Sequence, residues 1–149
     1  GKICRSKSGL FSTFFSNFSK EKERAKEVYD LLEFVGLADV ANEISQNLPY
    51  GKQRRLEIAR VLAVEPKLLL LDEPVAGMNS QEIMEVMDLI KKIQVKGITV
   101  FFIEHDMKMV MNISDKVIVL NYGIKIAEGP PEDIQKDEKV ITAYLGEER

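Results

Sequence analysis

Two short acidic clusters each follow an apolar run: Asp72-Glu73 after Leu68 to Leu71, and Glu104-His105-Asp106 after Ile98 to Ile103. His105 is the only histidine in the chain. Two acids after a buried strand suit a nucleotide triphosphatase, in which one carboxylate holds a magnesium shell and the next orients or deprotonates the attacking water. Taken singly, each cluster has a plainer reading. Acids near a helix start favour the helix dipole, so Asp72 and Glu73 also suit a cap, and a lone histidine fills many surface roles. A third feature is Leu48-Pro49-Tyr50-Gly51-Lys52-Gln53-Arg54-Arg55, a turn entering a helix that is expected to bury Leu56, Ala59 and Leu62 or Ala63. The free N–H groups of such a helix start, with flanking positive charge, attract phosphate. A solvated basic turn is the alternative.

The elements that must position these residues follow from periodicity. Leu68 to Leu71 is a short continuous apolar run, Ile83, Val86, Met87 and Ile90 have helical spacing, and Ile98 to Ile103 is a second run. That pattern predicts strand, helix, strand. A helical crossover makes the strands parallel, and continuous apolarity suits strands covered on both faces. Parallel strands bring their C-terminal ends to one sheet edge, where open α/β folds place ligands. Both acidic clusters then share that edge, and together they strengthen the functional reading.

Beyond them, Met107, Val110 and Met111 predict a helix and Val117 to Leu120 a strand. Asn121-Tyr122-Gly123 predicts a turn into Ile124 to Ala127, and a last helix after Pro130-Pro131 is expected to carry Ile134, Ile141, Tyr144 and Leu145. Upstream, a stripe at Val28, Leu31, Leu32 and Val35 closes at Gly36, a helix stop. Phe11, Phe14, Phe15 and Phe18 form an earlier stripe beside basic residues. It could lie on a membrane surface, although such stripes more often pack against neighbouring helices.

Composition narrows the class. The 149 residues, 45% hydrophobic and 30% charged, fit one globular domain. Net charge is -3, whereas a nucleic-acid protein spreads more basic surface. One cysteine, Cys4, makes no intrachain disulfide, and there is no Cys/His cluster for zinc. No apolar run approaches the roughly 20 residues that span a bilayer. The start, with Lys2, Arg5 and Lys7 before Leu10 and Phe11, only superficially resembles a signal peptide, and Gly1 reads as a cut end inside a longer protein.

Taken in order, these motifs resemble the ATP-binding cassette (ABC) family over nearly the whole chain. Leu48 to Lys52 aligns with the family signature Leu-Ser-Gly-Gly-Gln, Leu68 to Glu73 with its Walker B strand, Ala76-Gly77-Met78-Asn79 with the loop after it, and His105 with its switch histidine. Tyr50 to Arg60, Pro74 to Asn79, Ile103 to Met107 and the tail Ala127-Glu128-Gly129 with Val140 to Gly146 are similar to the branched-chain amino-acid importer branch. A lipopolysaccharide-exporter ATPase shares much of this style, with a poorer match around Met78-Asn79.

The resemblance implies an α/β fold: a partial P-loop NTPase of ABC type, with a mostly parallel sheet, part of the helical subdomain, and the phosphate-loop half missing. Residues 1–64 would be helical subdomain with the signature helix, 65–128 the core with Walker B and switch histidine, and 129–149 a helical tail. Asp72 would support Mg2+, Glu73 would be the catalytic base, and His105 would contact the γ-phosphate of ATP. Pro49, Tyr50, Gly51 and Lys52 would face ATP held by a second ABC ATPase subunit, with Asn79 at that dimer junction. Pro49 stands where the signature has serine and Lys52 where it has glutamine, so a hydroxyl and a backbone donor are lost.

Nowhere does the sequence contain G-x-x-x-x-G-K followed by Ser or Thr, the loop that cradles phosphates. The function so implied is that of a C-terminal fragment of an ATPase driving branched-chain amino-acid import. Its partners would be transmembrane permease subunits and, indirectly, a substrate-binding protein, with no nucleic acid, at the cytoplasmic side of the inner membrane. The fragment alone would be inactive. The alternatives are another ABC ATPase, for lipopolysaccharide export or outside transport, and a truncated non-catalytic interaction module.

Overall fold

The computed structural model describes residues 8–145, with the side chains of 21–144. The side chains of Phe11, Phe14, Phe15, Phe18 and Leu145, together with Cys4 and Gly146, lie outside the described residues. The chain divides into two compact units, Gly1–Pro66 and Lys67–Arg149.

The first unit is helical. Helix α1 (Ser8–Phe34) ends where Gly36 turns left-handed at φ +72. Gly36 N donates to Glu33 O at 3.0 Å and Leu37 N to Leu32 O at 2.7 Å. That is the paired closure of a helix on a glycine, with Leu37 folded back and buried. Of the expected stripe, Val35 is buried and Leu31 and Leu32 are half-buried, but Val28 is exposed. Two single 3₁₀ turns, Ala38–Val40 and Ser45–Asn47, lead to α2 (Tyr50–Leu62). Helix α2 buries Gly51, Ile58, Ala59 and Leu62. The burial differs from expectation: Ile58 replaces Leu56, which is half-buried, and Ala63 is exposed. Positions 51, 58 and 62 follow one another at helical spacing, and Ala63 is already the C-cap.

The second unit is α/β. Strand β1 (Leu68–Asp72), helix α3 (Ser80–Val95) and β2 (Thr99–Ile103) form a parallel crossover, with Leu68 opposite Thr99 and Asp72 opposite Ile103. Helix α4 (Met107–Ile113) packs beside α3, and Val75, Val86, Ile90, Met109 and Ile113 form the core, joined by Leu71, Val100 and Phe102 from the strands. Among the described residues of this unit, only this face of the sheet is covered. Leu68, Leu70, Phe101 and Ile103 on the other face are each half or more exposed, which corrects the expectation of two covered faces. The physical reason is that α3 and α4 both pack against the same side of the strands.

Strands β3 (Val117–Asn121) and β4 (Ile124–Gly129) form a separate antiparallel hairpin. Tyr122 and Gly123 are both at positive φ, +46 and +77, as a two-residue turn matched to strand twist requires. Among the described residues the strands thus form a parallel pair, β1–β2, and a separate hairpin, β3–β4.

The expected single last helix is broken into α5 (Pro131–Ile134), α6 (Glu138–Val140) and a π-type turn, Ile141–Leu145. Asp137 causes the break: its Oδ1 accepts from Lys139 N at 2.8 Å and Val140 N at 3.3 Å, starting a new helix. Ile134 and Val140 still reach the core beneath the hairpin.

Candidate functional site

Strand β1 delivers Asp72 and Glu73 to the same edge at which β2 delivers Glu104 and His105. The ladder continues one bond past the strands, since Glu73 N donates to Ile103 O at 2.9 Å. Glu73 itself takes φ +44, a conformation that costs a residue with a side chain about 1–2 kcal/mol. Strict alternation would keep Glu73 on the core side with Leu69 and Leu71, but the left-handed turn ends the pleat and leaves its carboxylate 53% exposed.

There Glu73 Oε1 lies 3.5 Å from His105 Nδ1. The imidazole is 75% exposed, so this contact is an open, water-screened one, and Nε2 remains to face another group. The Asp72 side chain is exposed, and its carboxylate has no hydrogen-bond or ion-pair partner among the described residues.

Glu104, which the sequence showed only as the neighbour of the histidine, is the unexpected member. Its side chain is 1% exposed although its backbone leaves the residue as a whole half-buried. The signal that would have found it is a carboxylate placed directly after an apolar strand. Asp106, beside His105, caps α4 by accepting from Met109 N at 2.9 Å, the plainer role weighed above for acids at strand ends.

Asn79 is the N-cap of α3. Its Oδ1 accepts from Gln81 N at 2.9 Å and Glu82 N at 3.1 Å, and Glu82 Oε2 accepts in return from Asn79 N at 3.0 Å. This reciprocal box fixes the loop from Glu73 to Asn79, which also bends through Ala76 N to Glu73 O at 3.2 Å and Met78 N to Val75 O at 3.1 Å.

Pro49, Tyr50, Gly51 and Lys52 belong to the first unit. Pro49 is the N-cap of α2, where its missing N–H costs no helical bond and its carbonyl accepts from Gln53 N at 3.0 Å. Gln53 Nε2 in turn donates to Leu48 O at 2.7 Å, closing the turn. Tyr50 is about half exposed, and Arg54 donates to its hydroxyl at 3.0 Å and lies over its ring. Arg54 also donates to Glu57 at 2.9 Å, and that bond together with the one to Tyr50 holds the guanidinium pKa above its ordinary value. Lys52 Nζ is paired with Asp39 Oδ2 at 2.7 Å, a partner that lies in the 3₁₀ turn Ala38–Val40. The hydrogen bond from Lys52 holds the Asp39 carboxyl below its usual range.

Residues 3–76 match the family described as ABC transporter, and residues 125–149 match the one described as branched-chain amino acid ATP-binding cassette transporter. The high-affinity branched-chain amino acid transport ATP-binding protein LivG of Escherichia coli K12 is 45% identical over 95% of this chain and 57% of its own length. BraF of Pseudomonas aeruginosa, which carries the same description, is 46% identical over 93% of this chain and 54% of its own. The chain thus spans little more than half the length of the curated relatives it matches. Among solved structures, an ATP-binding cassette of an ABC transporter in its ADP conformation superposes with a TM-score of 0.76 at 32% identity, covering 97% of this chain and 59% of the other. Similar in sequence over nearly its whole length and similar in fold, the chain belongs to the ATP-binding cassette family of ABC transporters, in the branch of the branched-chain amino-acid cassettes.

Proposed function

We propose that this chain is the part of an ABC transporter ATPase that carries the hydrolytic carboxylate and the switch histidine, and that the complete protein hydrolyses ATP to drive branched-chain amino-acid import. The observation that carries the reading is the meeting of Glu73 and His105, 3.5 Å apart at the shared end of two parallel strands. In this reading Glu73 orients and deprotonates the attacking water, while His105 uses its outward nitrogen to hold the γ-phosphate.

Magnesium fits the residues present. Among the described residues no three metal-ligating side chains cluster, and this ion is ordinarily held by one or two carboxylates plus substrate phosphates rather than by a protein cage. Asp72 would be that carboxylate, and the ion would supply charge neutralisation between the phosphates.

Pro49, Tyr50, Gly51 and Lys52 would face the nucleotide of a second cassette, and Asn79 would lie at the junction. The Lys52–Asp39 pair is exposed and screened by solvent, so Lys52 can exchange Asp39 for a phosphate at little cost. Among the described residues no helix is long and apolar enough to cross a membrane. A peripheral place on permease subunits at the cytoplasmic face suits that, with a substrate-binding protein supplying the amino acid.

The test is Glu73→Gln in the complete cassette with its permeases. ATP binding should persist while hydrolysis and amino-acid uptake fall by about a hundredfold or more, the loss typical of a positioned base. Near-normal turnover would remove Glu73 from the mechanism.

A further inference from the structure

Within the site, Glu104 is the acid that solvent does not reach, at 1% side-chain exposure against 53% for Glu73. Its Oε1 accepts from Val75 N at 3.2 Å and its Oε2 from His105 N at 3.1 Å. His105 Nδ1, at 3.9 Å, is the only charged or titratable partner it has among the described residues. A buried carboxylate is costly unless its oxygens are hydrogen-bonded, and an apolar residue filling the same space generally stabilises a fold as well or better. Packing alone therefore does not account for a glutamate here. Its two oxygens do something an apolar group cannot, because each holds a different loop.

Val75 lies in the turn that carries Glu73, and His105 lies in the turn that carries the imidazole. The β1–β2 ladder ends at the bond from Glu73 N to Ile103 O, and past it no backbone-to-backbone bond joins the two turns among the described residues. Glu73 is moreover held at a positive φ, a conformation that persists only where its surroundings enforce it. We propose that Glu104 is a positioning residue for ATP hydrolysis: its buried carboxylate staples the turn bearing Glu73 to the turn bearing His105 and fixes the spacing between them. This rests on the ATPase reading above. Glutamine has one acceptor and would present an amide donor to the second N–H, and aspartate falls one methylene short of bridging both.

The experiment is steady-state kinetics on the complete cassette. Glu104→Gln keeps the side-chain volume, and it should lower kcat about tenfold or more, since misplacing a reacting group by an ångström costs on the order of a hundredfold. KM for ATP should stay within about twofold, because ground-state binding is untouched. On a His105→Ala background the same substitution should cost clearly less than it does in the wild type, since one of the two groups whose spacing it fixes is gone. An unchanged kcat, or an equal further loss without the imidazole, overturns the proposal. Should Glu104→Gln fail to fold, hydrogen exchange on the wild type reads the staple directly. The amide of the exposed His105 should be protected, and free exchange there overturns the proposal. A wild-type cassette that does not hydrolyse ATP would instead overturn the ATPase reading, and this proposal with it.

Discussion

Glu128 sits on β4 between two lysines, with Lys116 Nζ at 2.5 Å from Oε1 and Lys125 Nζ at 2.6 Å from Oε2. The hydrogen bond to Lys116, then that to Lys125, lowers its pKa from 4.5 to about 2. A carboxylate with a depressed folded-state pKa contributes stability that is fully present above its unfolded value and is lost as pH falls through the folded one. The melting midpoint of the wild type should therefore exceed that of Glu128→Gln above about pH 4.5 and converge on it near pH 2. A difference independent of pH would show that the charge plays no part. Raised salt should narrow the gap, because exposed pairs are screened over about 10 Å at 0.1 M. At this scale the sequence was uneven to read. Asp72, Glu73 and His105 declare themselves by type and by position after apolar runs. Lys52 does not reveal its partner, because Asp39 lies in a separate turn and only the folded first unit brings it within 2.7 Å. Glu104 is hidden differently: its residue type signals solvent, and only the placement of the Val75 amide explains its burial.

Among the elements, helix ends were the most legible and strand surroundings the least. Gly36 announced the end of α1 because glycine alone takes a left-handed turn without penalty. The structure adds a second constraint, since a Cβ at Gly36 would lie 3.0 Å from Arg55 Nη1 of α2. Gly36→Ala should destabilise the helical unit by about 1–2 kcal/mol for the left-handed backbone alone, read as a lower urea midpoint. Gly36→Asn should lose less of the backbone term, because asparagine tolerates that region. Equal midpoints for glycine and alanine would show that the turn relaxes. The single final helix that the spacing of Ile134, Ile141 and Tyr144 predicts does not form, because Asp137 offers a local cap that outcompetes continuation. The apolar runs of β1 and β2 correctly signalled parallel strands, yet periodicity carries no information on which element, if any, covers each face.

For the molecule as a whole, neither unit contains a Walker A loop, since no G-x-x-x-x-G-K motif followed by Ser or Thr occurs in the sequence. The 149-residue chain by itself should therefore bind Mg-ATP more weakly than about micromolar, because catalytic carboxylates add little affinity without the amides and lysine that cradle the phosphates. Isothermal calorimetry checks this, and micromolar affinity would refute it. The two sheets also differ in how the chain must find them. The β3–β4 hairpin closes through two residues already suited to its turn, so its pairing is local and forms in about 1–10 μs. The β1–β2 pair cannot register until the 16-residue helix α3 between them has folded back, a non-local closure that slows formation. In pulse-labelled refolding, amides paired across the hairpin should become protected before that of Glu73. The acid at the heart of the proposed chemistry would then be among the last residues to reach its place, leaving the newly made chain without a hydrolytic edge while its hairpin is already formed.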